Sequence, residues 1–210
     1  MGLKTIAAGL AASMALAAPA HAVVGYADVV LDYFNSGLGS FPGPYGGTFD
    51  GISGSFPVPV STSVVLGPDG PVADFLSLPT GSYVTVGFTD EFIFDGVGDD
   101  IFIGEAGVAG ETANVFVSSD NVNFTFLGLA NDAVVTAFDL ASIGFVGNVT
   151  AVKIVGLDTF GGSPGFDVSF VQGLPGSVGG VPEPATWAMM ILGFGMAGTM
   201  VRRGRRTRFA

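Results

Sequence analysis

No cysteine occurs anywhere in the 210 residues. A disulfide framework, a thiolate nucleophile and a Cys-based zinc site are therefore excluded. An oxidising compartment permits disulfides without requiring them, so export stays open. Histidine occurs once, as His21, and tryptophan once, as Trp187. The stretch 23–180 has neither, and it also lacks arginine. Ser-His-Asp and Cys-His nucleophilic systems cannot be built there, nor can the usual histidine zinc sites. Basic residues are almost as scarce. Of seven Lys and Arg, only Lys153 lies between Lys4 and the terminal group Arg202, Arg203, Arg205, Arg206 and Arg208. Against that one base the stretch 23–180 sets 17 acids, a formal net charge of −16. Such a surface repels nucleic acid and anionic lipid. It suits solvated, secreted life or divalent cations.

What the chain has in excess is glycine, 34 residues, with 12 prolines and no collagen-like period. This composition reads as turns between short strands. The long apolar runs sit at the two ends. Residues 1–22 have the three zones of a secretory signal helix: Lys4 as a short positive region, the apolar run Ile6 to Ala18, and Ala20-His21-Ala22 as a small-x-small cleavage site. Signal peptidase would cut after Ala22. Near the other end, 17 uncharged residues run from Ala185 to Val201. At about 1.5 Å each they reach roughly 25 Å, enough for a single transmembrane helix through a thin bilayer. Trp187 falls near one end of that span, where an indole prefers the interface. The following Arg202–Arg206 cluster should stay cytoplasmic and leave the bulk of the chain outside the inner membrane.

The residues of this tail form a recognisable set. Val181-Pro182-Glu183-Pro184, then Ala185-Thr186-Trp187-Ala188, the apolar span and the arginines Arg202, Arg203, Arg205 and Arg206 closely resemble the PEP-CTERM sorting tail of the PEPxxWA type. The resemblance covers about the last thirty residues. It implies recognition by an exosortase, a membrane-embedded cysteine transpeptidase. It further implies removal of the tail near Glu183 and a Gram-negative owner that makes exopolysaccharide. Pro182 and Pro184 lack backbone donors and disfavour helix, which keeps the motif extended and accessible. The segment 175–181 reads as a flexible linker between this tail (182–210) and what precedes it.

Residues 23–174 read as one all-β surface domain, a jelly roll or β-sandwich of eight to ten short strands. The strand-like runs are 29–34, 63–66, 82–88, 92–94, 101–103, 114–118, 123–127, 134–138, 152–155 and 166–171. Val, Phe, Ile and Thr dominate them, and Gly, Asp, Asn and Pro clusters separate them. Residues 139–143 could form one helical turn. Three phrases, 68–107, 113–128 and 151–171, together resemble a group of secreted bacterial cell-surface proteins whose fold looks like the galactose-binding, discoidin-like jelly roll. Two positions depart from that pattern. Asn121 stands where a hairpin glycine is usual, and Asn tolerates the same left-handed turn. Ser169 replaces the second Asp of the closing strand and removes a carboxylate from any metal site there.

Chemistry in this domain must rest on oxygen. The densest acidic run is Asp95-Gly96-Val97-Gly98-Asp99-Asp100, with Glu105 one short strand further on. Glycine allows a tight turn, and Asp95, Asp99, Asp100 and Glu105, joined by Asp167 from the last strand, could converge on Ca²⁺, which takes about six to eight oxygens. A solvated acidic turn is the plainer alternative. Asp139 and Asp158 fit cap and turn roles, and Lys153 fits a snorkelling side chain at a sheet surface. A carboxylate-pair glycan hydrolase needs two acids across a cleft, and no basic or aromatic clamp for it shows in the sequence. Thr85 and Thr125 raise an ice-binding face, but regular Thr-x-Thr ladders are absent. The expectation is an exported, non-enzymatic envelope protein associated with exopolysaccharide. The alternatives are an adhesin-like or ice-binding structural protein, and after it a carboxylate-based glycan hydrolase.

Overall fold

The computed structural model describes residues 25–49, 54–68, 74–107, 110–132, 134–180 and 191–195. In chain order the first seven strands are β1 (Gly25–Tyr26), β2 (Val29–Phe34), β3 (Tyr45–Phe49), β4 (Gly54–Pro59), β5 (Phe75–Leu78), β6 (Tyr83–Gly87) and β7 (Glu91–Ile93). They are followed by β8 (Ile101–Glu105), β9 (Thr112–Ser118), β10 (Thr125–Asn131), β11 (Val135–Phe138), β12 (Ala151–Gly156), β13 (Phe166–Gly173) and β14 (Val178–Gly180). A seven-stranded sheet runs β11-β8-β13-β5-β3-β4, with β1 added beside β13. A five-stranded sheet runs β10-β9-β12-β6-β2, and β14 pairs with β7. The domain is thus all-β, as its composition implies.

The two large sheets share one core. Val84, Val86, Val115, Val117, Val152 and Ile154 from the five-stranded sheet meet Leu76, Leu78, Ile101, Ile103, Phe166 and Val168 from the seven-stranded one. In β9 the period is visible residue by residue: Ala113, Val115 and Val117 are buried while Thr112, Asn114 and Phe116 are half-buried. Each fully buried Val, Leu, Ile or Phe contributes roughly 1.5–3 kcal/mol, so this packing, not any local propensity, holds the sandwich closed. On the outer face of the five-stranded sheet, Lys153 places its Nζ 3.5 Å from the Tyr83 ring centroid. It is the snorkelling side chain expected. The 118–123 hairpin turns on Asn121 at φ 60°. Asp120 accepts from the Val122 and Asn123 amides at 2.9 and 2.7 Å, and those donors hold its carboxyl well below the usual carboxylate range.

Several segments differ from the sequence expectation. Residues 63–66 are not a strand: Thr62–Val65 form a 3₁₀ turn, because the Ser61 side chain accepts from the Ser63 amide and closes the first turn. The helical turn expected over 139–143 is a 3₁₀ turn at Leu140–Ile143, capped by Asp139. Strands β3, β4 and β5 lie outside the expected set. In β3, Gly46 and Gly47 conceal a strand in which a Cβ on Gly46 would stand 1.9 Å from the Phe75 carbonyl oxygen. In β4, Pro57 and Pro59 are tolerated because β4 is the edge of its sheet. Within the expected linker 175–181, Val178–Gly180 are β14, held antiparallel against Glu91–Ile93. Residues 191–195 are helical. Among the described residues no helix is long and apolar enough to cross a membrane. The signal helix 1–22 and the rest of the expected span 185–201 lie outside the described residues.

Candidate functional site

The alternation of β13 sends Phe166 and Val168 into the core, opposite Leu78 and Leu76, and turns Asp167 the other way, opposite Ser77. That outer face is covered. The loop 157–165 lies across it, fixed by Ser163 Oγ at 2.7 Å from Ser77 Oγ and by Tyr45, whose hydroxyl donates to the Pro164 carbonyl. Gly165 makes the covering loop possible: it has φ +120°, and a Cβ there would meet the Pro79 nitrogen at 2.3 Å. Asp167 accepts from Ser77 Oγ at 2.5 Å and is 6% exposed.

Two glutamates converge on the same place. Glu105 ends β8, opposite Val168 on β13, and Glu111 immediately precedes β9. Gly107 runs between them. Its amide donates to Glu105 Oε1 at 2.6 Å, and a Cβ on it would stand 2.4 Å from Glu105 Oε1 and 2.9 Å from Glu111 Oε2. One carboxylate oxygen from each of Glu105, Glu111 and Asp167 lies within 4.8 Å of the others. All three residues are buried, and both Glu105 Oε2 and Glu111 Oε2 lack a hydrogen-bond partner. Burial disfavours the charged forms, and mutual repulsion adds to it. Glu111 is pushed up to about 9, by burial first and then by Asp167 and Glu105. Asp167 rises to about 8, burial outweighing the hydrogen bond from Ser77. Glu105 rises to about 7, burial outweighing the Gly107 amide.

Beside this cluster a cavity of about 190 Å³ opens, lined by Glu111, Asp167, Ser163 and Gly107 together with Phe49, Phe56 and Phe75. Phe75 is buried and Phe56 is 52% exposed.

The five acids expected to share one cation fall into two places. Asp95 and Asp100 come together with Asp139, and Glu105 and Asp167 with Glu111. Asp99 is exposed and belongs to neither group. Asp100 is fully buried and saturated: it accepts from the Gly96 amide at 2.8 Å, Ser177 Oγ at 2.5 Å and the Leu140 amide at 2.8 Å. It therefore ties the 95–100 turn to β14 and to the second 3₁₀ turn. Asp139 caps that turn through the Ala141 amide at 2.8 Å, and Asp158 accepts from the Thr112 amide at 2.6 Å. The first is the cap role expected; Asp158 instead reaches the start of β9, 46 positions away, and its Oδ1 has no partner.

Glu111 is the residue that sequence reasoning missed. A signal for it exists. Asp and Asn serve turns and caps because their short side chains reach nearby amides, a task to which the longer Glu is less suited. Of the domain's 17 acids only Glu91, Glu105 and Glu111 are glutamates, and all three are buried. The sorting-motif residues Pro182, Glu183, Pro184, Trp187, Arg202, Arg203, Arg205 and Arg206, and the cleavage-site residues Ala20 and Ala22, lie outside the described residues.

The site and fold define an all-β sandwich with a covered carboxylate cluster. The address on this chain is more specific: residues 180–206 match the PEP-CTERM protein-sorting motif. The chain carries that motif, which implies an exported protein, held transiently in the membrane and then surface-associated, with an exosortase as the processing partner. No curated protein matches the chain. Solved structures similar to it include the following two. A truncated AlyQ with CBM32 and alginate lyase domains gives a TM-score of 0.40 at 13% identity, covering 75% of this chain and 35% of its own. The C-terminal domain of a chitobiase from Bacteroides fragilis gives a TM-score of 0.40 at 12% identity, covering 70% of this chain and 99% of its own. The chain thus spans about a third of the first of these proteins.

Proposed function

We propose that this is a non-enzymatic envelope protein of a Gram-negative bacterium, delivered to the exopolysaccharide matrix, whose β domain binds a glycan. The observation that carries the reading is a cavity lined both by phenylalanines and by Ser163, Glu111 and Asp167. A sugar ring has an apolar C–H face and a rim of hydroxyls. The rings of Phe56 and Phe49 offer a surface for the first, and the polar wall offers acceptors for the second. A volume of about 190 Å³ suits one sugar unit of a chain and not a polymer threaded through. Delivery follows from the tail. Intact-mass spectrometry of the envelope form should show loss of residues 1–22 and of the residues after Glu183. Retention of 185–210 would make the tail a plain anchor.

The same cavity gives a hydrolase its best support, since Glu111 and Asp167 both face it. Their oxygens lie within 4.8 Å, closer than the roughly 5–5.5 Å of a retaining pair. The cavity's other lining residues include phenylalanines but no further acid. One experiment separates the two readings. The exported, tail-processed protein is screened on a glycan array and incubated with every glycan that binds. Binding without release of reducing ends, weakened about tenfold in Phe56→Ala, supports the binding protein. Release of reducing ends that Glu111→Gln abolishes would replace it with the hydrolase, and no binding to any glycan would remove both.

A further inference from the structure

We infer that Glu105, Glu111 and Asp167 hold one Ca²⁺ ion at the inner wall of the cavity. Two independent observations meet here. One is the convergence of three carboxylates on each other, with Gly107 threaded between two of them so closely that a side chain at 107 would strike both. The other is that Glu111 and Glu105 are 1% and 3% exposed, yet each leaves an oxygen, Oε2, with no hydrogen-bond partner. A buried carboxylate oxygen without a donor forfeits its hydration and gains nothing for it. A neutralising side chain is also lacking. The domain's only base, Lys153, is engaged with Tyr83 on the outer face of the other sheet.

The chemistry of the donors selects the ion. All three are carboxylates, and the domain has no Cys or His to favour a softer metal. Three such ligands more than neutralise a divalent charge and leave further positions for backbone carbonyls and for water from the cavity. That accords with about six to eight oxygens in flexible geometry, Ca²⁺, better than with the near-ideal octahedron Mg²⁺ demands. The Asp95–Asp100–Asp139 group does not meet the same standard, because Asp100 already has its three donors. The inference does not depend on the cavity taking a glycan.

The test is calorimetry on the full-length protein after stripping with EDTA, titrated with CaCl₂ and, at matched ionic strength, with MgCl₂ and NaCl. The expected result is one Ca²⁺ per chain, with weaker or no heat for Mg²⁺ and none for NaCl. Glu111→Gln and Glu105→Gln should each weaken Ca²⁺ binding about tenfold or more, since affinity follows the charge count of the ligands. Asp95→Asn and Phe56→Ala should leave it unchanged. A melting curve run beside each titration shows that every variant is folded. No heat and no rise in Tm up to about 10 mM Ca²⁺, beyond the range of weak extracellular sites, would overturn the inference. So would unaltered affinity in both glutamate variants, or its loss in Asp95→Asn. Retained Ca²⁺ binding in a Phe56→Ala protein that no longer binds glycan would show that the two sites stand or fall separately.

Discussion

Two groups of three acids occupy the same sandwich and are wired in opposite ways. In the Asp95–Asp100–Asp139 group the central carboxylate is fully buried and fed by two amides and a hydroxyl. In the Glu105–Glu111–Asp167 group the three carboxyls share one amide and one hydroxyl between them, and two oxygens have nothing. The first arrangement satisfies a charge with local dipoles and needs no ion. The second supplies too few donors for its carboxylates, so that without an ion it keeps protons well above the usual carboxylate range. Acid count alone would rank the first group higher, as the Asp95–Asp100 turn is the densest acidic run in the sequence. Donors, not acids, decide which cluster is a strut and which is a site.

The largest effect expected tests the strut. Asp100→Ala orphans the Gly96 and Leu140 amides and the Ser177 hydroxyl, and at about 1–3 kcal/mol for each unsatisfied buried group the loss should be on the order of 4 kcal/mol. Urea unfolding of wild type and variant measures it. A loss under about 1 kcal/mol would mean the turn is held by something else.

The second effect is a pH dependence of the EDTA-stripped protein, and it has the opposite sign from the usual carboxylate. Glu105, Glu111 and Asp167 all lie above their ordinary values. Folding therefore retains protons that the unfolded chain has released. Their contribution is fully favourable below about pH 4.5, the ordinary value of Glu111, and is lost as pH rises toward about 9, its folded value. From linkage the upper bound for Glu111 alone is about 6 kcal/mol, and relaxation and water at the cavity wall reduce it, to a decline on the order of 3 kcal/mol over that range. Unfolding free energies at intervals across it, in EDTA, measure the slope. A metal-free stability that rises from pH 5 to pH 8 would contradict the burial argument.

Glu111→Gln should be smaller and of opposite sign to Asp100→Ala. Gln keeps the side-chain shape and spares folding the proton that Glu111 must take up at pH 8, below its folded value of about 9, so without metal the variant should be more stable by about 1–2 kcal/mol. Its pH slope should flatten, and with Ca²⁺ present the advantage should vanish. Denaturant melts in EDTA and in Ca²⁺ give both numbers. Destabilisation of the metal-free form would make Glu111 a structural acceptor, and the contrast between the two groups would disappear.

How far the sequence reaches can be judged from particular residues. Strand β2 falls on the expected bounds 29–34, and β6, β8, β9, β11, β12 and β13 lie within two residues of theirs, because Val, Ile and Phe recur between glycine and aspartate turns. The left-handed Asn121 and the capping Asp139 are equally legible, since their chemistry is local. Strand β5 is harder: Phe75–Leu78 is buried on both faces and shows no alternation. The carboxylate site is harder still. Glu105 comes beside Asp167 only through the register that sets Glu105 opposite Val168, and the two are 62 positions apart in the chain. Nothing local reports that pairing. Sequence proximity instead groups Glu105 with Asp95 and Asp100, from which β8 carries it away. The Glu-for-Asp preference at position 111 is the one local sign, and it is a choice of residue type and not a motif.

The smallest effect expected is also the sharpest test of the contrast. Asp95 is exposed, and its carboxylate faces the saturated Asp100 and the capping Asp139. Removing its charge in Asp95→Asn relieves some repulsion of two carboxylates whose donors are already in place. Water screens an exposed charge strongly, so the gain should stay within about 0.5 kcal/mol. It should shrink further in high salt, and it should not depend on Ca²⁺. If the turn were itself a cation site, Asp95 would be a ligand with access to solvent. The same substitution would then cost stability in Ca²⁺ and gain it in EDTA. Unfolding of Asp95→Asn in EDTA, in Ca²⁺ and in matched NaCl distinguishes the two cases. A near-zero change under all three conditions keeps this group as a strut. A Ca²⁺-specific loss would transfer the cation from the Glu105–Glu111–Asp167 cluster to the turn.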